Sequence, residues 1–281
     1  MDRWLRRIGR LIGTALGAFA GVTAIQLMRL RHMEFLPGHP GFYINHVVRL
    51  SGAPADRIPL RLVVLGDSTT AGVGVDRPED SLPYHLAQRI AEAEARPVHV
   101  VSYGWAGARV ADLVRQQLPR ALQPLRASET EPFLPGADVV AVVIGSNDAT
   151  HRTTPGRFRA DLRAVLTGIR EAAPAARVVL AGIPVFRGAL RGVEPLIFLA
   201  DQYARLLRPV GRSEAARSGV TYADLAAELP DRLRGRGRTD IFSPDRFHPS
   251  AIGYAAWADV IADALIEHPA ASGPSLGSAG A

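Results

Sequence analysis

Five short apolar runs recur along the chain, with helix-like stretches between them, and this alternation limits the fold more than any other feature. The runs are 60–65 (LRLVVL), 98–103 (VHVVSY), 138–144 (DVVAVVI), 177–183 (RVVLAGI) and 219–224 (GVTYAD). Continuous apolar runs rich in valine suit strands buried on both faces, as in a parallel sheet. Helical stretches fall at 80–95, opening at Asp80-Ser81, and at 156–172. A last one runs from Pro249, with Ala251, Ile252, Ala255, Ala256, Val260 and Ala264 near one face. Strands alternating with helices predict an α/β fold: a three-layer α/β/α sandwich around a mainly parallel central sheet of about five strands. At 281 residues and 47% hydrophobic content, the chain can bury a core without help from a metal or disulfide.

The flanks read differently. The N-terminus, MDRWLRRIGRLIGTALGAFAGVTAIQLMRLRH, holds 18 uncharged residues between Arg10 and Arg29, close to the ~20 a helix needs to cross a bilayer. Gly9, Gly13, Gly17 and Gly21 recur every fourth residue, a stripe that lets membrane helices approach closely. Residues 1–32 therefore read first as a hydrophobic helix anchored in a membrane. The competing readings are a cleaved signal peptide, for which Ala18-Phe19-Ala20 offers a site, and a soluble amphipathic or buried helix. Arg3, Arg6, Arg7 and Arg10 outnumber Arg29 and Arg31, so the positive-inside rule puts the main domain outside the cytoplasm, anchored or exported. Residues 33–59 carry Pro and Gly punctuation and read as a linker with one short element. Residues 60–268 form the main domain, and 269–281 (PAASGPSLGSAGA) read as a disordered tail.

Net charge is +6, and every basic residue is arginine. Such a charge invites a nucleic-acid reading, yet the arginines are scattered and aromatics reach only 6%, so no stacking platform interleaves with them. A solvated surface is the better reading, without a nucleic-acid partner; the one dense run, Arg232 to Arg238, has the glycines of a loop. Cysteine is absent, which excludes a thiolate nucleophile and a Cys-ligated zinc site.

In an open α/β sheet, ligands bind beyond the carboxyl ends of the strands. After the first run comes Gly66-Asp67-Ser68, and after the second GWAGARVADL with Gly104 and Gly107. After the third comes Gly145-Ser146-Asn147-Asp148, and Asp245-Arg246-Phe247-His248 precedes the last helix. These residue types fit acyl transfer. A serine hydroxyl needs a base within reach, which His248 offers, and the base needs an orienting partner, which Asp245 offers three residues earlier. Backbone N–H groups of Ser68 and Gly107 and the Asn147 amide are candidate donors where negative charge develops.

In order and spacing this set resembles the SGNH, or GDSL-type, hydrolases, the GDSL-like lipase/acylhydrolase family, over roughly residues 60 to 267. The resemblance implies a flavodoxin-like sheet and hydrolysis of esters, with no metal or organic cofactor. By the same resemblance Ser68 is the nucleophile, His248 the base and Asp245 its orienter, with Gly107 and Asn147 as oxyanion donors. Block one continues GDSTTAG rather than with the leucine of the family's name, which leaves the nucleophile in place. Ser102 stands where block two usually opens with asparagine.

The implied substrate is a small-molecule or glycan ester. A GDSL-type esterase or lipase acting through an acyl-enzyme on Ser68 is the leading reading. A carbohydrate O-deacetylase working on envelope polysaccharide would use the same residues. From another class, a membrane-tethered binding domain could keep the fold and lack chemistry; the intact Ser68, Asn147, Asp245 and His248 weigh against it. Asp148 and His151 form a rival Asp-x-x-His pair. Gly273-Pro-Ser275-Leu-Gly277 matches a nucleophile elbow but sits in the tail, without the strand and helix that motif needs. Ala71 to Gly74 (AGVG) lacks a phosphate-loop lysine. Phe186 to Ala204 is a candidate pocket wall or lid, with ordinary packing as the plainer reading.

Overall fold

A computed structural model describes residues 2–32, 41–50, 57–126, 131–186 and 194–267. Its centre is a six-stranded sheet in the order β1-β3-β2-β4-β5-β6. The strands are β1 (Asn45–Val48), β2 (Leu60–Gly66), β3 (Val98–Ser102), β4 (Val139–Val143), β5 (Arg177–Ala181) and β6 (Thr221–Ala223). All neighbours pair in parallel except β1, which runs antiparallel to β3. The five apolar runs thus become β2 to β6. The sixth strand is the short element of residues 33–59, the stretch read as a linker. It lies at a sheet edge, where a four-residue strand gives little apolar signal.

Both faces of the sheet are covered. Side chains alternate along a strand, so Val63 and Leu65 of β2 enter one core while Leu62 and Val64 enter the other. The first core lies under helices Pro155–Ala172 and Leu196–Arg217 and a helical run at 110–121. The second lies under helices Leu82–Glu94, Leu225–Arg232 and Ala251–Glu267. The helix at Pro155 starts where Thr154 Oγ1 accepts from Arg157 N at 3.3 Å, with proline at the first helical position. The last helix differs from its expected face. Ile252 is exposed, and the buried side carries Tyr254, Trp257, Val260 and Ile261, because helices on either side and the sheet below cover most of its circumference.

β2 sits between β3 and β4, so the chain runs outward from it in both directions, and the loops after these strands converge there. The N-terminal helix (Asp2–His32) is largely exposed and meets the domain only near Thr23 and Gln26, and its stretch Trp4–Gln26 is long and apolar enough to cross a membrane. Many arginines pair with carboxylates on their own surface, including Arg89 with Asp259 at 2.8 Å, Arg163 with Glu214 at 2.9 Å and Arg232 with Asp263 at 2.6 Å. Positive charge is thereby spread and neutralised locally, as the scattered sequence positions predict. The tail at 269–281, and the Ser275 motif in it, lie outside the described residues, as do 187–193 of the candidate lid.

Candidate active site

The loop after β2 is a tight turn rather than the start of a helix. The Asp67 carbonyl accepts from Thr70 N and Ala71 N, both at 3.1 Å. The Asp67 side chain accepts from Thr69 N at 3.0 Å and Thr69 Oγ1 at 2.9 Å. Asp67 therefore serves as the turn's cap and leaves the Ser68 hydroxyl for another partner. Burial pushes the Asp67 carboxyl above its ordinary range, against the lowering effect of its Thr69 bonds.

That partner is His248, whose Nε2 lies 2.9 Å from Ser68 Oγ. Its Nδ1 lies 2.6 Å from Asp245 Oδ2. The other Asp245 oxygen accepts from Ser243 Oγ at 2.6 Å and from Phe247 N and His248 N, both at 2.9 Å. Burial opposes ionisation of Asp245, but hydrogen bonds from His248, Ser243 and the Phe247 backbone outweigh it and hold the carboxyl down at about 2. With Nδ1–H donated to this carboxylate, Nε2 presents its lone pair to the serine, and the arrangement can take the Ser68 proton.

Gly74 explains how two distant loops come so close. At φ +109° it lies against the histidine loop, and a Cβ there would sit 2.7 Å from the Pro249 carbonyl and 2.9 Å from His248 Cβ. The glycines of AGVG thus fit loop to loop. Tyr254 closes the same seam by donating its hydroxyl to the Val73 carbonyl.

Block two is held by Ser102. Its hydroxyl donates to the Thr70 carbonyl at 2.7 Å and accepts from Gly104 N at 3.4 Å, so the serine in the asparagine position bridges blocks one and two. Asn147 Nδ2 donates to the Ala108 carbonyl at 3.0 Å, which joins block three to block two. An amide nitrogen has a second N–H, and Asn147 lines the same cavity as Ser68 and His248. Gly107, at φ +83°, sits on an exposed loop outside that cavity's wall, next to the Ala108 that accepts from Asn147. The rival pair separates. Asp148 is buried and accepts from Val110 N at 3.0 Å, and burial raises its carboxyl. His151 stays on the surface with Nδ1 against the Asn147 carbonyl at 2.9 Å.

One residue escaped the sequence reading. Gln117, fully buried in a π-turn, donates Nε2 to the Gly66 carbonyl at 2.7 Å and accepts from Gly66 N at 2.9 Å. β3 has already ended, so this side chain completes the ladder at the residue before Asp67-Ser68. Gln117→Leu would orphan both Gly66 groups and is expected to cost about 2–4 kcal/mol, since each buried unsatisfied group costs ~1–3 kcal/mol. Urea unfolding measures it, and a loss below about 1 kcal/mol would refute this role.

The cavity beside Ser68 has a volume of about 300 Å³ and is mostly apolar. Leu225, Leu229 and Leu233, spaced four apart, line it together with Ile241, Phe242 and Trp257. Phe186, the first residue of the candidate lid, lines it together with Pro184 and Val185 just before it. Among the described residues, no group of three or more His, Asp or Glu side chains is placed to hold a metal ion.

A family model for the GDSL-like lipase/acylhydrolase family matches residues 64–256, more than half of the chain. Comparison with curated proteins gives no match. Among solved structures, the lipase Lip_vut3 from a goat rumen metagenome is 20% identical, covers 73% of this chain and 97% of its own, and superposes with a TM-score of 0.57. An extracellular lipase from Streptomyces rimosus is 23% identical over 73% of this chain and 99% of its own, TM-score 0.54. The acetyl-xylooligosaccharide esterase Axe2 from Geobacillus is 19% identical over 74% and 96%, TM-score 0.52. These likenesses show a shared fold. The chain belongs to the GDSL-like lipase/acylhydrolase family and is a hydrolase of that ester-cleaving class.

Proposed function

We propose that the protein cleaves carboxylic esters bearing an acyl chain, with Ser68 as nucleophile, His248 as base and Asp245 as its orienter. Ser68 Oγ attacks the ester carbonyl carbon as its proton passes to His248 Nε2. The tetrahedral oxyanion is met by Asn147 Nδ2 and the backbone N–H of Ser68. It collapses to an acyl-enzyme as the alcohol leaves with the proton held on His248. Water then attacks, giving its proton to the same nitrogen, and the acid departs while Ser68 regains its hydrogen. The observation that carries this reading is the unbroken chain Asp245–His248–Ser68, at 2.6 and 2.9 Å, beside an apolar cavity.

The cavity wall favours acyl esters over acetylated sugars. Sugar hydroxyls need partners when desolvated, and the Leu225, Leu229 and Leu233 side chains offer none. At ~30 Å³ per water-sized group, 300 Å³ accepts about ten non-hydrogen atoms. With the full chain in detergent and p-nitrophenyl esters from acetate upward, kcat/KM is expected to rise roughly fourfold per methylene, or ~0.8 kcal/mol each, until the cavity fills. A flat profile together with turnover of an acetylated oligosaccharide would move the assignment to O-deacetylation.

The same reading takes the N-terminal helix as a membrane anchor for a catalytic domain outside the cytoplasm. Its support is the apolar span Trp4–Gln26 and the arginine excess before it.

A further inference from the structure

We propose that the catalytic edge of the sheet faces the lipid bilayer, so that Ser68 draws its ester from the membrane surface. This rests on the esterase and anchor readings above.

The topology of β1 carries most of the argument. Because β1 is antiparallel to β3, Asn45 at its start pairs with Val101 near the end of β3. The residues just before it are fixed at the same edge: Ser102 N donates to the Ile44 carbonyl at 3.0 Å, and Phe42 N donates to the Ala71 carbonyl at 2.7 Å. Ala71 belongs to the Ser68 loop. The chain arriving from the helix therefore enters the domain beside the nucleophile, not at the far end of the strands. Nine residue steps separate His32 from Gly41, a reach of at most about 32 Å. A strand running the other way would have put the tether at the opposite edge.

The surface at this edge suits a bilayer. Near its end the span touches the domain: Thr23 lines a second cavity of about 620 Å³ with Ala149, Leu199, Tyr203 and Leu206, and Gln26 Nε2 donates to the Glu194 carbonyl. Phe186 and Phe247 line this cavity and the one beside Ser68 alike, and Phe247 stands edge-on to the His248 ring with centroids 5.0 Å apart. Around the second cavity the helix Leu196–Arg217 leaves Leu199 39% and Leu206 55% exposed. Apolar side chains clustered beside a membrane span are the features of an interfacial face. The occupant of this face is the interfacial layer of the bilayer. The substrate class is an ester whose acyl chains lie in that layer and pass between Phe186 and Phe247.

The natural absence of cysteine permits a clean test. The full chain carrying Leu206→Cys, labelled with a fluorophore, is reconstituted in phosphatidylcholine–phosphatidylglycerol vesicles with and without brominated acyl chains. Ala93→Cys, exposed near the end of the helix Leu82–Glu94 at the opposite edge, is the comparison. The expected result is loss of most emission at position 206 in brominated vesicles and little loss at position 93. Equal quenching at both positions, no quenching at 206, or failure of the chain to stay with the vesicles would overturn the proposal. Turnover of p-nitrophenyl acetate in the same samples judges the esterase reading separately. Turnover without quenching sinks only the orientation, and quenching without turnover sinks only the chemistry.

Discussion

Ser68→Ala is expected to lower ester turnover by about 10⁵-fold or more and to abolish labelling by a serine-directed phosphonate. The size of the effect follows from the geometry. Among the described residues, Ser68 is the only hydroxyl hydrogen-bonded to the His248 ring, so removing it leaves the proposed base with nothing to activate except water. His248→Ala should fall nearly as far, because members of a hydrogen-bonded triad act as a unit. His151→Ala should retain most activity, since His151 is on the surface and engaged with a backbone carbonyl. Retained turnover in Ser68→Ala would refute the acyl-enzyme mechanism. Loss with His151→Ala but not with His248→Ala would move the base.

The second large effect belongs to Asp245→Asn, expected to reduce kcat by about 10³–10⁴-fold with the fold preserved. An amide of the same size has one acceptor where the carboxylate meets four donors. Turned to serve Ser243 and the two backbone N–H groups, it points its NH₂ at His248 Nδ1 and imposes the wrong tautomer. The pH dependence has a defined sign. The folded pKa of Asp245, about 2, lies below its unfolded value, near 3.9. Its contribution to stability is therefore present above about pH 4 and is lost as pH falls through about 2. Thermal melting of wild type and Asp245→Asn should show their stability difference narrowing over that interval. A constant difference would mean that the carboxylate charge contributes nothing.

Most of the fold was legible because buried parallel strands write themselves as unbroken apolar runs. VVAVV of β4 is buried at every position, and no loop or surface helix has that composition. β1 was not legible, since NHVV is short, half-buried and on an edge. The proposed catalytic set was legible as a candidate from its places after successive strands, whereas the residues that position it were not. Gln117 looks like any polar residue of a helix in RQQL, and only the early end of β3 gives it a role. Leu225, Leu229 and Leu233 read as one more amphipathic stripe; that they also line a cavity depends on where the last two helices lie. The distinction between His248 and His151 needed the fold too. Both follow an aspartate by three residues, and local spacing cannot show that Asp148 is spent on Val110 N.

His248 and Ser68 meet across 180 positions of sequence, through a seam fitted around Gly74 and latched by Tyr254. Synthesis runs from the N-terminus, so the nucleophile emerges long before its base. On the proposed mechanism, until residues 243–267 have been delivered and docked the growing polypeptide carries a serine of ordinary reactivity and cannot attack esters in the compartment that makes it. On that mechanism, hydrolysis starts where folding finishes.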